Sequence, residues 1–354
     1  MSGRKITQIV LAIEQSEGVG AQVRRSIGQR ELKNLDPFLL LDEFKVSKPA
    51  GFPDHPHRGF ETVTYMLNGS FEHEDFCGHK GTINPGDLQW MTAGRGIVHC
   101  EMPSSDEPGH GLQLWVNLKS LNKMVAPRYQ ELQSKTIPKP STDGVTVAVI
   151  SGEALGSKMR QECKETKTAA GPAPFISQVY THTPMMYLDF TLKNGASHIQ
   201  PVPKGWTAFI YTLAGYVHVD SIGCTRFLAR PLNGTVQQRC ESGIIQHAAH
   251  LTCLNCVLLI SCRGPDKEKK RIEPHHVAIL DDGENVQVEN KDHEVSRFVL
   301  IAGEPINEPV VKHGPFVMNS QEEIAEALED YRTGKNGFEK AKGWKSKAVS
   351  SKKI

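Results

Sequence analysis

The stretch Tyr65-Met66-Leu67-Asn68-Gly69 returns 146 residues later as Tyr211-Thr212-Leu213-Ala214-Gly215, and at that offset Gly59 falls on Gly205 and Phe60 on Trp206. A chain that carries one unit twice is expected to fold as two similar bodies packed together. With 354 residues there is enough chain for two full cores. The local pattern has period two. Leu112, Leu114, Val116 and Leu118 alternate with Gly111, Gln113, Trp115 and Asn117, and turn residues such as Asn84-Pro85-Gly86-Asp87 separate the runs. This is the signature of antiparallel strands. A helix signal stands out only at Gln321 to Gly334, where Ile324, Leu328 and Tyr331 share a stripe, Asn319-Ser320 can cap the start and Gly334 can end it.

The first unit carries Asp54-His55-Pro56-His57-Arg58-Gly59-Phe60-Glu61, followed by Gly96-Ile97-Val98-His99-Cys100-Glu101. If the first stretch is one extended strand, His55, His57 and Glu61 point one way, and Pro56, Arg58 and Phe60 the other. Val63, Tyr65 and Leu67 continue the first parity, Thr62, Thr64 and Asn68 the second. The expected picture is a strand that lines a barrel, polar at its mouth and packed further down. In the second stretch Ile97, His99 and Glu101 share a side. Imidazoles and a carboxylate converging from two strands would hold a first-row divalent metal and leave positions open for water or substrate. Under the 146-residue offset His55, His57 and Glu61 fall on Pro201, Pro203 and Thr207, none of which replaces the lost ligands, so the second unit is expected to lack a metal.

His-x-His-x3-Glu followed by Gly69, and Gly96-x-x-His99 later, match the cupin pattern. Three longer stretches resemble the pirin family, in particular its animal members: Phe52 to Val63, Asn84 to His99, and Gly314-Pro315-Phe316-Val317-Met318-Asn319. The similarity covers nearly the whole chain apart from one internal segment. It implies an all-β fold of two cupin barrels in tandem, plus a short C-terminal helix. It also implies one iron ion (Fe2+/Fe3+) in the N-terminal barrel, held by His55, His57, His99 and Glu101. Glu61, the carboxylate other cupins use, is then left to orient a ligand or a bound water. As function the resemblance implies a nuclear and cytoplasmic, redox-sensitive transcription co-regulator. Its partners would be a Rel/NF-kappa-B type factor with an associated co-activator, and it would also oxidise the flavonol quercetin as a 2,3-dioxygenase. In that chemistry Glu101 is the candidate base for the flavonol proton. The alternatives are a metal-dependent flavonol dioxygenase with no regulatory role, and a structural cupin scaffold.

The expected division is an N-terminal metal-binding barrel over residues 1–140 and a second barrel over 141–354. The latter is interrupted by an insertion at about 221–264 and ends in a helix at about 320–334 and a basic tail. The insertion holds Cys224, Cys240, Cys253, Cys256 and Cys262. His247, His250, Cys253 and Cys256 allow a zinc reading, but only two residues separate the pairs, so a surface insertion or a stretch read from an unspliced or alternative exon is preferred. With 41 basic and 40 acidic residues the chain has no field to draw it onto nucleic acid or membrane, and no direct sequence-specific nucleic-acid binding is expected. The N-terminus does not read as a signal peptide, and no apolar run is long enough to span a bilayer. An intracellular protein with mostly reduced cysteines is expected. Arg24, Arg25, Arg30 and Lys33 read as a solvated face or a partner-docking patch, and the seven lysines after Gly334 as a solvated end.

Overall fold

The computed structural model describes residues 2–162, 178–220 and 269–350. The stretch read as an insertion, with its cysteines and the zinc reading, lies outside the described residues. Each half of the chain builds a large sheet faced by a four-stranded one, as expected of two barrels in tandem. In the first, the large sheet has seven strands, in the order Arg128–Leu132, Leu88–Thr92, Phe60–Asn68, Gly109–Asn117, Phe38–Val46, Ala21–Ile27, Ile13–Glu17. The small sheet runs Phe52–His57, Ile97–Pro103, Phe71–Asp75, Lys80–Ile83. The second half repeats this order. His276–Leu280, Thr207–Ala214, Ser296–Gly303 and Met185–Leu192 stand side by side in its nine-stranded sheet, and Ser197–Pro201, Asn285–Glu289, Val217–Asp220 and Lys269–Ile272 make the small one. The duplication in sequence is therefore a duplication of topology.

The two large sheets pack on one another, and this corrects the expected use of the first barrel's apolar rows. Val63, Tyr65, Leu67, Leu112, Leu114 and Val116 belong to one core together with Val147, Tyr187, Phe209 and Ile301 of the second barrel. They face the partner barrel. Phe38 meets Phe209 edge-on at 5.2 Å, and Tyr65 lies 6.0 Å from Tyr187. The opposite parity lines the first barrel: Thr64 reaches Glu101, and Gln113 and Trp115 line its cavity. The cause is local. The strand of His55 ends at His57, and Gly59 turns the backbone with φ of +90° before Phe60 opens a strand of the other sheet. The break resets the alternation, so odd positions face inward before it and even ones after it.

Both ends of the chain cross between the barrels. Ile6–Leu11, first in sequence, is the edge strand of the second barrel's sheet, antiparallel to His276–Leu280. It takes the place that Arg128–Leu132 takes beside Leu88–Thr92 in the first. In return, the chain after Val311 packs on the first barrel. Gln321–Thr333 is the expected helix, with a capping box between Ser320 and Glu323 and a left-handed Gly334 at its end. Its buried face differs from the expected stripe. Ile324, Ala327 and Asp330 are buried, while Leu328 and Tyr331 are exposed at 39% and 38%. The reason is what the helix covers: Phe316 and Phe338 pack against it, and Asp330 meets the buried guanidinium of Arg58 at 2.8 Å. Nor is the lysine-bearing tail simply solvated. Phe338 is buried against Gly96, and Lys347–Ser350 is a short helix with Ala348 packed on Cys100 and Met102.

Candidate metal centre

In the small sheet the strand Ile97–Pro103 runs antiparallel to Phe52–His57, with His99 opposite His55 and Ile97 opposite His57. Period two places the three imidazoles on the inner face. Their ligand atoms lie within 4.8 Å of one another, and their ring centroids are 4.4 to 5.0 Å apart. His55 Nδ1 donates to the Pro53 carbonyl at 2.8 Å, which leaves its Nε2 as a lone pair, 3.0 Å from His57 Nε2. His57 Nδ1 and both nitrogens of His99 are buried without a hydrogen-bond partner. Each orphaned polar group of this kind costs about 1–3 kcal/mol. Burial lowers the affinity of all three rings for protons, and for His57 and His99 the neighbouring imidazoles lower it further, to well below the usual range. Three neutral imidazoles with lone pairs turned to one point fit a first-row divalent metal, and such an ion would satisfy nitrogens that nothing else satisfies.

Glu101 shares the inner face but does not join this group. The register slips between His99 and Glu101, and the carboxylate is held by Thr64 Oγ1 at 3.1 Å and by the Gln113 amide at 3.4 Å. Burial pushes the carboxyl up to about 7 against the hydrogen bond from Thr64. It lines the same cavity as His55 and His57. Glu61, expected beside the ligands, is turned to the partner barrel, where Trp90, Thr92 and Thr181 donate to it at 3.1, 2.8 and 2.7 Å. Its hydrogen bonds go to these three donors and not to the imidazole cluster, in keeping with the parity reset at Gly59.

Above the imidazoles opens a cavity of about 470 Å³, within the range of roughly 300–1,000 Å³ usual for small-molecule sites. Phe44, Phe52 and Phe71 form one apolar wall, and Trp115 forms another, its ring 5.3 Å from that of His57. Lys312, Gly314 and Pro315 reach over the mouth from the far end of the chain, with Lys312 Nζ 4.8 Å above the Trp115 ring. Burial lowers the Lys312 ammonium below its usual range. Arg25, read as a possible docking residue, lies in this rim bound to Asp42 and Glu17, and Arg24 is paired with Glu14. Of these, Trp115 and Gln113 were visible as the alternate row of their strand. Lys312 left no sequence signal, because only the fold brings it to the first barrel.

The family model described as Pirin matches residues 20–116, and that described as Pirin C-terminal cupin domain matches residues 246–337. Pirin of Homo sapiens is 58% identical over 347 residues, covering 98% of each chain. This chain belongs to the pirin family. Among solved structures, the pirin fold here resembles quercetin 2,3-dioxygenase from Acinetobacter baumannii, with a TM-score of 0.70 at 30% identity over 95% of this chain and 99% of that one. The bacterial pirin YhhW of Escherichia coli, solved in complex with nickel(II), shares the fold at a TM-score of 0.54 and 15% identity, covering 84% of this chain and 99% of that one. Both structures align along both barrels. Among the described residues no helix is long and apolar enough to cross a membrane.

Proposed function

We propose that this chain binds one iron ion through His55, His57 and His99, with Glu101 as the fourth ligand, and oxidises a flavonol such as quercetin in the manner of a 2,3-dioxygenase. The observation that carries this reading is the convergence of His55, His57 and His99, with nitrogens of the latter two buried without partners, beside an aromatic cavity that His55 and His57 line. When bound, the metal supplies a Lewis acid and a redox centre, with dioxygen as the oxidant and the flavonol as the reductant. The chain's own groups do the rest. The imidazoles and the carboxylate grip the ion, while Phe44, Phe52 and Trp115 receive flat rings and exclude water. Glu101, freed from Thr64 and Gln113, would give one carboxylate oxygen to the ion and take the flavonol hydroxyl proton on the other. The similarity to the Acinetobacter baumannii enzyme supports the substrate class. The test is elemental analysis and turnover with quercetin. His57→Ala should lose the metal, and metal-loaded Glu101→Gln should lose most turnover. Full turnover by loaded Glu101→Gln would remove the base role, and wild-type chain that holds metal but leaves quercetin intact would remove the activity.

A second reading concerns regulation: a Rel/NF-kappa-B type factor and its co-activator bind the nuclear protein differently in the Fe2+ and Fe3+ states. It is supported by the mechanical link from the site to the surface. Arg58, next to His57, donates to Asp330 of the C-terminal helix and to the Asn336 carbonyl, both at 2.8 Å. A change of charge at His57 therefore acts one residue from the anchor of an outer element. Partner affinity measured in both redox states without flavonol decides this. Equal affinities would refute the sensor, and an unchanged affinity after metal removal would favour a structural scaffold.

A further inference from the structure

On the other flank of Ile97–Pro103 the first barrel carries a second set of donors that flavonol oxidation does not use. His73 lies in Phe71–Asp75, His79 on the turn that follows, and Glu131 in Arg128–Leu132. Their ligand atoms meet within 4.8 Å, with Glu131 Oε1 2.7 Å from His73 Nε2 and 3.2 Å from His79 Nε2. Half-exposed residues can form such a trio as hydrogen bonds alone, so the case depends on how the trio is built. The turn is fixed: Asp75 Oδ1 accepts the backbone N–H groups of both Cys77 and His79 at 2.8 Å. The rings are held too. Both imidazoles lie nearly parallel to Tyr129, His79 with its centroid at 4.3 Å and 24°, His73 at 5.9 Å and 15°. Gly81 lets its backbone pass close by, since a Cβ there would stand 2.5 Å from both Glu131 Oε1 and His73 Nε2. Two imidazoles held by their turn and by Tyr129 converge with the Glu131 carboxylate of another strand on one point. His73 is 1% exposed, while the His79 and Glu131 side chains are 38% and 40% exposed.

We propose that His73, His79 and Glu131 form a second metal site, for a divalent first-row cation of the zinc, cobalt or nickel class. Two imidazole nitrogens and one carboxylate oxygen hold the ion, and water fills its outward positions. The ion takes the place of the N–H protons that now point at Glu131, and each neutral imidazole then carries its one ring proton on Nδ1, with Nε2 as the ligand. This site is separate from the His55, His57 and His99 centre and does not rest on the flavonol reading.

The probe is Co2+ alone, titrated anaerobically into the metal-stripped full chain, with uptake counted by equilibrium dialysis and the visible spectrum recorded. Four chains are compared: wild type, His57→Ala, the pair His79→Ala with Glu131→Gln, and all three changes together. The pair should bind one equivalent fewer than wild type. The triple variant should bind one fewer than His57→Ala, with loss of the matching visible band. His79 and Glu131 are half-exposed, so these substitutions are expected to leave the fold intact, and far-ultraviolet circular dichroism checks it. Equal uptake by wild type and the pair, with both folded, would overturn the second site. Loss of uptake in His57→Ala alone reports on the first site and leaves this comparison readable.

Discussion

At Gly59 the backbone has a φ of +90°, and a Cβ would stand 1.9 Å from the Val317 carbonyl oxygen. That one residue separates the ligand strand from the strand that packs on the other barrel, so it decides which side chains can see the metal. Gly59→Ala should cost at least about 1–3 kcal/mol from the dihedral alone, with the clash added, and chemical denaturation together with metal content should show both falling. The imidazoles were legible because His55 and His57 share one unbroken strand and His99 stands opposite on its neighbour. Glu61 was not, because counting by twos runs across Gly59 as though the strand continued. Thr64, which helps hold Glu101, was assigned to the opposite face for the same reason.

Among the elements, the C-terminal helix shows how a surface segment becomes part of the metal barrel. Its cap at Asn319-Ser320 and its terminal Gly334 were readable in sequence, since caps are local hydrogen-bond chemistry. Its buried face was not, because the face is chosen by the partner, here Arg58 and Phe338. Asp330→Ala leaves the Arg58 guanidinium buried without its carboxylate and should cost about 3–5 kcal/mol in denaturant unfolding, as breaking one side of a buried ion pair does. Ser320→Ala removes only a cap and should cost about 1 kcal/mol in the same assay. A clear excess of the first loss over the second separates anchoring of the helix from its formation.

Across the whole molecule, the duplication returns as exchanged contacts between the barrels. Tyr65 donates to Asp189 at 2.9 Å and Tyr211 to Glu43 at 2.7 Å, and Tyr211 and Asp189 are the repeat partners of Tyr65 and Glu43. Arg297 completes the first set and His110 the second, with His275 added on Glu43. Burial alone would raise the Glu43 carboxyl, but hydrogen bonds from His110 and Tyr211 and the charge of His275 outweigh it and lower it to about 2. A carboxyl with a folded value below its unfolded one stabilises fully above the unfolded value, about 4.3, and loses that contribution as pH falls toward 2. The shift corresponds to about 3 kcal/mol, so acid unfolding of Glu43→Gln should be flatter than that of wild type between about pH 4.5 and 2. Identical acid profiles would show that Glu43 does not link the barrels in this way.

By itself the sequence determined the strands, the duplication, the helix caps and the three imidazoles, because alternation, turns and short spacings are matters of neighbouring residues. Only the tertiary structure decided which face of each strand turns to the metal and which to the other barrel, and that the two ends of the chain change places. It also decided that Lys312 lines the cavity and that His73, His79 and Glu131 meet. These depend on the packing of segments far apart in the chain, where hydrophobic burial is shared between bodies and no local period records it.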